Sequence, residues 1–213
     1  MLQFITNDKS PVSVTDQIKG FIKGGGRWVQ VRMDGASDEE VRKVIEEVKP
    51  LCIEVQAFLL LHNRVDLAKT LDVGGVHLEK DGVLPSKARL ELGPAAVIGI
   101  SANTIDDIKA VRSLDVDYIA IGPVRESDLF SSSLPVLGVD GIKEIDAEMQ
   151  KLEINIAHVA AGGVMKDDVK TLLEAGANGI AVSKEIAFAS DVEKETEEFL
   201  KILKPFEKFK DEA

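Results

Sequence analysis

Short runs of β-branched and aliphatic residues alternate with segments of helical periodicity along the chain, and this alternation constrains the fold more than any other feature. The runs that we predict to be strands are 2–6, 28–33, 57–62, 75–79, 97–101, 117–123, 156–163 and 179–183. The segments whose apolar residues recur every three or four positions, and which we predict to be helices, are 13–23, 37–48, 65–71, 86–92, 104–114, 139–151, 167–175 and 192–206. Eight such units favour parallel strands that close into a single (β/α)8 TIM barrel.

The main alternative is a doubly wound open sheet. That fold places a glycine-rich turn after the first strand, whereas residues 6–11 of this chain form a polar segment without glycine. The three glycines at 24–26 precede a strand rather than open a helix, so they indicate a helix end and not a phosphate loop. We therefore predict one barrel domain over residues 1–213, a length that suits this fold.

Charge, cysteine content and hydropathy narrow the functional classes. A net charge of −11 argues against a broad nucleic-acid surface, which needs clustered Lys and Arg. Cys52, the only cysteine, cannot form an internal disulfide, and we expect it in the core between the second helix and the third strand. Neither a signal peptide nor a membrane-spanning run is present, so we expect a cytoplasmic protein without a membrane partner. A homo-oligomer is compatible with the sequence.

Polar residues on the second strand point into the predicted barrel. Gln30 and Arg32 alternate with Val29 and Val31, so the two polar side chains share one face. A guanidinium inside a barrel needs an anion, because an unpaired buried charge is costly. That anion is either a bound ligand or the carboxylate of a neighbouring strand.

Further polar residues end the third, fourth and fifth strands, at the face where barrels of this kind bind ligands. His62 is either a hydrogen-bonded core residue or a base, and Asn63 suits the cap of the following helix. Glu79 or Asp81 could supply a metal ligand. Ser101, at the tip of the fifth strand, is expected to face a ligand.

The ends of the seventh and eighth strands carry the strongest local pattern. Gly162 and Gly163 allow backbone N–H groups to approach an anion, and Ser183 and Lys184 offer a hydroxyl and a positive charge. Barrels often bind phosphate between these two loops. The alternative is that the glycines serve only as turn residues.

Seven motifs link the chain to a known family. They read QVR at 30–32, NRVDLA at 63–68, GVHL at 75–78, IGISA at 98–102, DYIAIGP at 117–123, AGG at 161–163 and AGANGIAV at 175–182. In order and spacing they resemble the thiamine phosphate synthase family and its relatives, the TenI-type thiazole tautomerases. The resemblance spans nearly the whole chain. It implies a transferase that joins hydroxymethylpyrimidine diphosphate to thiazole phosphate and releases pyrophosphate with the help of Mg2+.

The resemblance also assigns roles to residues. Arg32 and Ser101 would act on the departing pyrophosphate, as the catalytic residues. Gln30 and Arg32 would contact the diphosphate and the pyrimidine, and Ser127 the thiazole phosphate. The full set of expected substrate contacts is Gln30, Arg32, His62, Asn63, Ser101, Ser127, Gly162, Gly163, Ser183 and Lys184.

Several positions depart from the family pattern. A lysine of the family is replaced by Asp34, and the first metal-binding aspartate is replaced by Asn63. The second metal-binding aspartate falls on Gly82, one residue after Asp81. Asn63 and Asp81 are therefore the residues expected to hold Mg2+, with reduced affinity because carboxylate charge is lost.

The sixth loop departs as well, since its Thr-x-Thr-Lys motif begins at Ser127 and here lacks the lysine. A tautomerase needs no metal, but its catalytic histidine falls on Pro123. Three hypotheses follow. The chain is an impaired synthase, a tautomerase that uses His62 or His77 as proton carrier, or a silent binder of a thiamine-related phosphate.

Overall fold

Eight parallel strands, paired in sequence order, close into a barrel in the computed structural model, which describes residues 1–80, 82–127 and 134–207. The first strand pairs with the last, so the predicted (β/α)8 barrel is confirmed. The strands are β1 (Leu2–Ile5), β2 (Trp28–Val31), β3 (Phe58–His62), β4 (Gly75–Leu78), β5 (Val97–Ala102), β6 (Tyr118–Ile121), β7 (Ala157–Ala160) and β8 (Gly179–Val182).

Helices cover the outside of the barrel. They are α1 (Val14–Lys23), α2 (Asp38–Glu54), α3 (Val65–Leu71), α4 (Pro85–Leu92), α5 (Ile105–Val111), α6 (Gly138–Lys151), α7 (Val169–Glu174), α8 (Lys184–Ala187) and α9 (Val192–Glu207). A 3-10 turn at Lys166–Asp168 leads into α7. Within the described ranges, no helix has the length and apolar character needed to cross a membrane.

The second helix extends beyond its predicted end. Its predicted end is Val48, whereas in the structure it continues through Pro50 to Glu54, although proline disfavours a helix interior. Val48 and Cys52, four residues apart, are both buried and continue the apolar stripe of the helix. The expected position of Cys52 between helix and strand is therefore wrong, although its burial is confirmed. The predicted helix end at the glycines is confirmed, since Gly24 caps α1.

Two groups of buried side chains build the core. The larger lies between the strands and the helices, and includes Phe4, Phe21, Ile45 and Phe199. The smaller lies inside the barrel, and its fully buried members are Ile5, Leu60, Tyr118, Ala120, Val159, Ala161 and Ala181. Four of these seven are alanine or valine, which leaves room inside the barrel for the buried polar side chains described below.

Gly99 on β5 makes space for the ring of Tyr118 on β6. A Cβ at this position would lie 2.1 Å from ring atoms of Tyr118, which is buried and packs edge-on against Trp28 at a centroid distance of 4.8 Å. We expect Gly99→Ala to lower the free energy of unfolding by about 1–3 kcal/mol, because the ring has little room to shift.

Chemical denaturation measures this difference. Gly35→Ala is the matched control, since a Cβ there meets no atom within 4 Å. A Gly99→Ala variant as stable as the wild type would show that the Tyr118 ring moves without cost.

Candidate active site

The carboxyl ends of β2 to β5 bring a cation, two carboxylates and an imidazole together at one mouth of the barrel. Arg32 follows β2, and its Nε donates to Asp34 Oδ2 at 2.8 Å, while its Nη1 lies 4.0 Å from Glu79 Oε1. The Arg32 side chain is 19% exposed, so the charge is open to a ligand from one side. Of the two anions considered for Arg32, a bound ligand and a carboxylate of the protein, the structure contains the carboxylate.

His62, the last residue of β3, faces the same carboxylates. Its Nε2 lies 3.8 Å from Asp34 Oδ1 and 3.9 Å from Glu79 Oε1, and its Nδ1 lies 3.1 Å from Gln30 Nε2. Burial, together with the charge of Arg32, lowers the pKa of His62 to about 4. The ring is therefore neutral at physiological pH.

His77 on β4 stands beside His62, with nearly parallel rings 6.1 Å apart. Its Nδ1 lies 2.8 Å from the Tyr118 hydroxyl, and its Nε2 lies 3.0 Å from Ser101 Oγ. Burial lowers the pKa of His77 to about 3, and burial also raises the pKa of Tyr118. Both groups are therefore neutral hydrogen-bonding groups at physiological pH.

Glu79, two residues after His77, is the second carboxylate beside Arg32 and His62. Burial raises the pKa of its carboxyl group, while Arg32 and a hydrogen bond from Ser101 oppose that rise. The Glu79 side chain is 33% exposed, so it lies at the boundary between the polar interior and solvent.

The polar network extends down to the first strand. Gln3 on β1 is fully buried, and its Nε2 lies 2.8 Å from the Tyr118 hydroxyl and 3.4 Å from Gln30 Oε1. Sequence reasoning missed both Gln3 and Tyr118. The alternation that identified Gln30 and Arg32 also applies to Gln3, which lies between the apolar residues Leu2 and Phe4.

Asn63 joins two loops and does not cap a helix. It has a left-handed backbone with φ of 53°, and its Oδ1 accepts from the backbone N–H of Glu79 at 2.9 Å. The N-cap of α3 is Arg64, which makes no side-chain capping bond, so the capping role expected of Asn63 is wrong. Asn63 and Arg64 border a cleft of about 470 Å3 that also reaches Asp34 and His62.

Of the two residues expected to hold a metal, Asn63 and Asp81, only Asn63 is among the described residues. Asp81 lies outside the described residues, and the Asn63 amide oxygen already accepts a hydrogen bond from Glu79. A side chain at Gly82 would start 3.0 Å from that oxygen. Across residues 1–80, 82–127 and 134–207, no three His, Cys, Asp or Glu side chains are arranged to hold a metal ion.

The glycines after β7 accommodate a neighbouring loop. Gly162 and Gly163 have φ of 83° and 71°, and the backbone N–H of Arg125 donates to Gly162 O at 2.9 Å. A Cβ on Gly163 would lie 2.8 Å from Arg125 Cβ, and Arg125 also pairs with Asp168. These contacts give the glycines a turn and packing role, and the phosphate contact expected of their backbone N–H groups stays a prediction.

The other residues expected at the phosphate differ in exposure and in surroundings. Ser183 is 6% exposed, and its buried Oγ has no hydrogen-bond partner within the described parts of the chain. Lys184 lines a cleft of about 600 Å3 together with Phe188, which follows α8, and residues of α9 such as Glu198. Ser127 is half-buried, whereas the rest of its motif at 128–130 lies outside the described residues.

Comparisons with known proteins agree with this geometry. The family described as thiamine monophosphate synthase matches residues 2–186. Thiamine-phosphate synthase of Bacteroides fragilis is 41% identical over 201 residues, covering 94% of this chain and 98% of the relative. The Bacteroides thetaiotaomicron protein of the same name is 40% identical over 199 residues, covering 93% of this chain and 95% of the relative.

A solved structure of a protein with a related name has the same fold. Thiamine phosphate pyrophosphorylase from Pyrococcus furiosus superimposes with a TM-score of 0.84 at 28% identity, and the match covers 96% of this chain and 95% of the other. Sequence and structure agree over nearly the full length, and the chain belongs to the thiamine monophosphate synthase family.

Proposed function

We propose that this protein is a transferase that joins hydroxymethylpyrimidine diphosphate to thiazole phosphate and releases pyrophosphate. The observation that carries the proposal is a cluster of polar side chains at the barrel mouth. Arg32 and His62 lie 4.0 and 3.9 Å from Glu79 Oε1, while Ser101 bonds His77 and Gln30 bonds His62. These groups suit an anionic ligand, and the proteins that resemble this chain are named thiamine-phosphate synthase.

The reaction asks the protein for positioning and charge stabilisation. The bond between the pyrimidine methylene carbon and the diphosphate oxygen breaks, and its electron pair leaves with pyrophosphate. The thiazole nitrogen then supplies the electron pair of the new carbon–nitrogen bond. Arg32 would hold the diphosphate in place of Asp34 and Glu79, and Ser101 would donate to an oxygen of the leaving group.

Gln30 would contact the pyrimidine in this arrangement. It is 1% exposed, and its amide is held by Gln3 and His62. After these two bonds Nε2 keeps a second N–H and Oε1 keeps a second lone pair, so the fixed amide would offer one donor and one acceptor to a heterocycle. The cleft beside His62 and Asn63 would admit the substrates to the mouth.

The family implies Mg2+, but the described residues do not fit a metal held by the protein. Asp34 and Glu79 both face Arg32, and the Asn63 oxygen is bound to the Glu79 backbone. No step of the proposed reaction is therefore carried by a metal, and activity with and without Mg2+ measures whether one is required.

We further propose that the thiazole phosphate binds beside Ser183, with the backbone at Gly162 and Gly163, Ser127 and Lys184 around it. The buried Oγ of Ser183 supports this site, because a buried hydroxyl without a partner is unfavourable unless a ligand supplies one.

Removing the Ser183 hydroxyl tests this phosphate site. Ser183→Ala is expected to weaken binding of thiazole phosphate about tenfold, the effect of losing one hydrogen bond to a charged group, without loss of thermal stability. Calorimetry measures the first effect and thermal unfolding the second. Ser113→Ala, which removes an exposed hydroxyl on the helical layer, is the control. Equal affinity of both variants would place the phosphate elsewhere.

The activity itself is tested by incubating the purified protein with both substrates and measuring thiamine phosphate and pyrophosphate, with and without Mg2+. Equal amounts of both products support the transferase. Proton exchange on the thiazole without pyrophosphate release would support the tautomerase instead, and binding without turnover would support a silent binder.

A further inference from the structure

Two hydrogen-bonded branches rise from Gln3, near the base of the barrel, to the carboxylates at its mouth. The first runs through Tyr118 and His77 to Ser101, with links of 2.8, 2.8 and 3.0 Å. The second runs through Gln30 to His62, with links of 3.4 and 3.1 Å. The first branch ends at Ser101, at the tip of β5, and the second ends 3.9 Å from Glu79 Oε1.

The Gln3 amide fixes the direction in which hydrogen bonds are donated along the first branch. Its Nε2 only donates, so the Tyr118 hydroxyl oxygen accepts from it and the single phenolic proton points to His77 Nδ1. A neutral His77 then carries its own proton on Nε2 and donates to Ser101 Oγ. The Ser101 proton is left to be donated at the mouth.

The second branch has the same direction. His62 Nε2 faces Asp34 and Glu79, which both accept, so its proton belongs on Nε2. The bare Nδ1 accepts from Gln30 Nε2, and this leaves Gln30 Oε1 to accept from Gln3.

The surroundings of the Gln3 amide agree with this direction of hydrogen-bond donation, from Gln3 toward the mouth. Its NH2 group lies between two acceptors, Tyr118 Oη and Gln30 Oε1, while its own Oε1 is buried without a hydrogen-bond partner among the described residues. The reversed amide would turn its acceptor toward both neighbours and would require every later link to reverse, which would aim lone pairs at Asp34 and Glu79.

We propose that Gln3 and Tyr118 are positioning residues that fix the tautomers of His77 and His62, so that Ser101 and His62 are hydrogen-bond donors at the mouth. This inference deepens the proposed function and rests on it for its catalytic meaning. The two donors would turn from the carboxylates to the oxygens of the departing pyrophosphate. Because both donors are neutral, they stabilise growing negative charge without a proton being transferred.

Gln3→Glu is the sharpest test, since it keeps the shape of the side chain and removes its donor. The new carboxylate would accept from Tyr118, which would then accept from His77 Nδ1–H and leave Nε2 bare. Two-bond coupling spectra of 15N-labelled histidine report which ring nitrogen carries the proton. We expect His77 to be protonated at Nε2 in the wild type and at Nδ1 in Gln3→Glu, with His77→Gln used to assign its signals.

Tyr118→Phe is the second variant, and it keeps the test decisive if Gln3→Glu fails to fold. Losing the hydroxyl removes the donor to His77 Nδ1, so a mixture of tautomers is expected. Thr196→Val is the matched control, because it removes a buried hydroxyl that bonds Val192 O in α9, away from the site. It should leave the His77 signals unchanged.

Kinetics give the catalytic readout. Tyr118→Phe is expected to lower kcat for pyrophosphate release about tenfold, while the KM for the diphosphate substrate changes by less than about threefold. A wild-type His77 protonated at Nδ1, or the same tautomer in Gln3→Glu as in the wild type, would overturn the inference. The tautomer measurement needs no turnover, so the expected tautomers in a protein without synthase activity would refute the proposed function and leave the positioning roles standing.

Discussion

Replacing Arg32 with alanine is expected to lower kcat/KM for thiamine phosphate formation about 100- to 1,000-fold, the usual effect of removing one fixed group that stabilises charge in a transition state. Arg32 is the cation that contacts Asp34 and Glu79 at the mouth, and the diphosphate would take their place. The variant should also raise the pKa of Glu79 further, because the charge of Arg32 lowers it in the wild type. Steady-state kinetics and pyrophosphate calorimetry measure the loss.

Arg32→Lys should recover only part of the activity, because an ammonium cannot form the two parallel hydrogen bonds that a guanidinium offers to a phosphate. Arg42→Ala is the control, since Arg42 lies on the outer helix α2 and faces Glu39. Full activity of Arg32→Ala would remove Arg32 from the proposed mechanism and leave its ion pairs as a structural feature.

Lowering the pH from 7 to 5 is expected to reduce the free energy of unfolding by about 3–4 kcal/mol. His62 and His77 have pKa values of about 4 and about 3 in the folded protein, whereas histidine in an unfolded chain titrates near 6.5. The unfolded state therefore binds more protons in this window. Their contribution to stability is complete above pH 6.5 and is lost as the pH falls toward the folded values.

The carboxyl groups with shifted pKa values act in both directions. The raised pKa of Glu79 acts in the opposite sense, since it makes the folded state take up a proton earlier and partly offsets the loss. Asp107 and Asp168 have lowered pKa values, so their stabilisation is lost only at more acidic pH. Urea denaturation at pH 7, 6 and 5 measures the trend.

His77→Gln should reduce the pH dependence by about half, because one of the two titrating rings is removed. Thr196→Val is the control, since it lowers stability without altering the slope against pH. Stability that stays constant between pH 7 and 5 would show that the two rings accept protons without leaving the folded state.

The fold was predictable because its periodicities are simple. All eight strands were located from short apolar runs, and the parallel pairing followed from the intervening helices. The four-residue helix α8 was missed, since fewer than two turns give no periodic pattern. The continuation of α2 past Pro50 could not be predicted from the local sequence, because proline disfavours a helix interior. The burial of Cys52 in the folded protein outweighs that effect.

The site was predictable only in part. Gln30, Arg32, His62 and Ser101 were expected together, because the carboxyl ends of neighbouring strands converge, and the structure brings them together. Gln3 was missed because it is the single polar residue of β1 and Ile5, on the same face, is apolar, so its alternation is too short to define a polar face.

The glycines after β7 show a different limit of sequence reasoning. A glycine that admits a phosphate and a glycine that admits another loop give the same signal, and the neighbour of Gly163 is Arg125, 38 residues earlier in the chain. Such a contact is not encoded in local spacing.

The polar interior of this barrel has a consequence for its redesign. Barrels of this kind are usually treated as an inert scaffold whose loops are exchanged to change the chemistry. Here the first strand supplies an amide, Gln3, whose orientation is transmitted upward through Tyr118 and Gln30 to the rim. Loops transplanted onto this scaffold would therefore meet a mouth whose hydrogen-bond donors are already set. A single substitution of Gln3 would reverse that pattern without altering any loop.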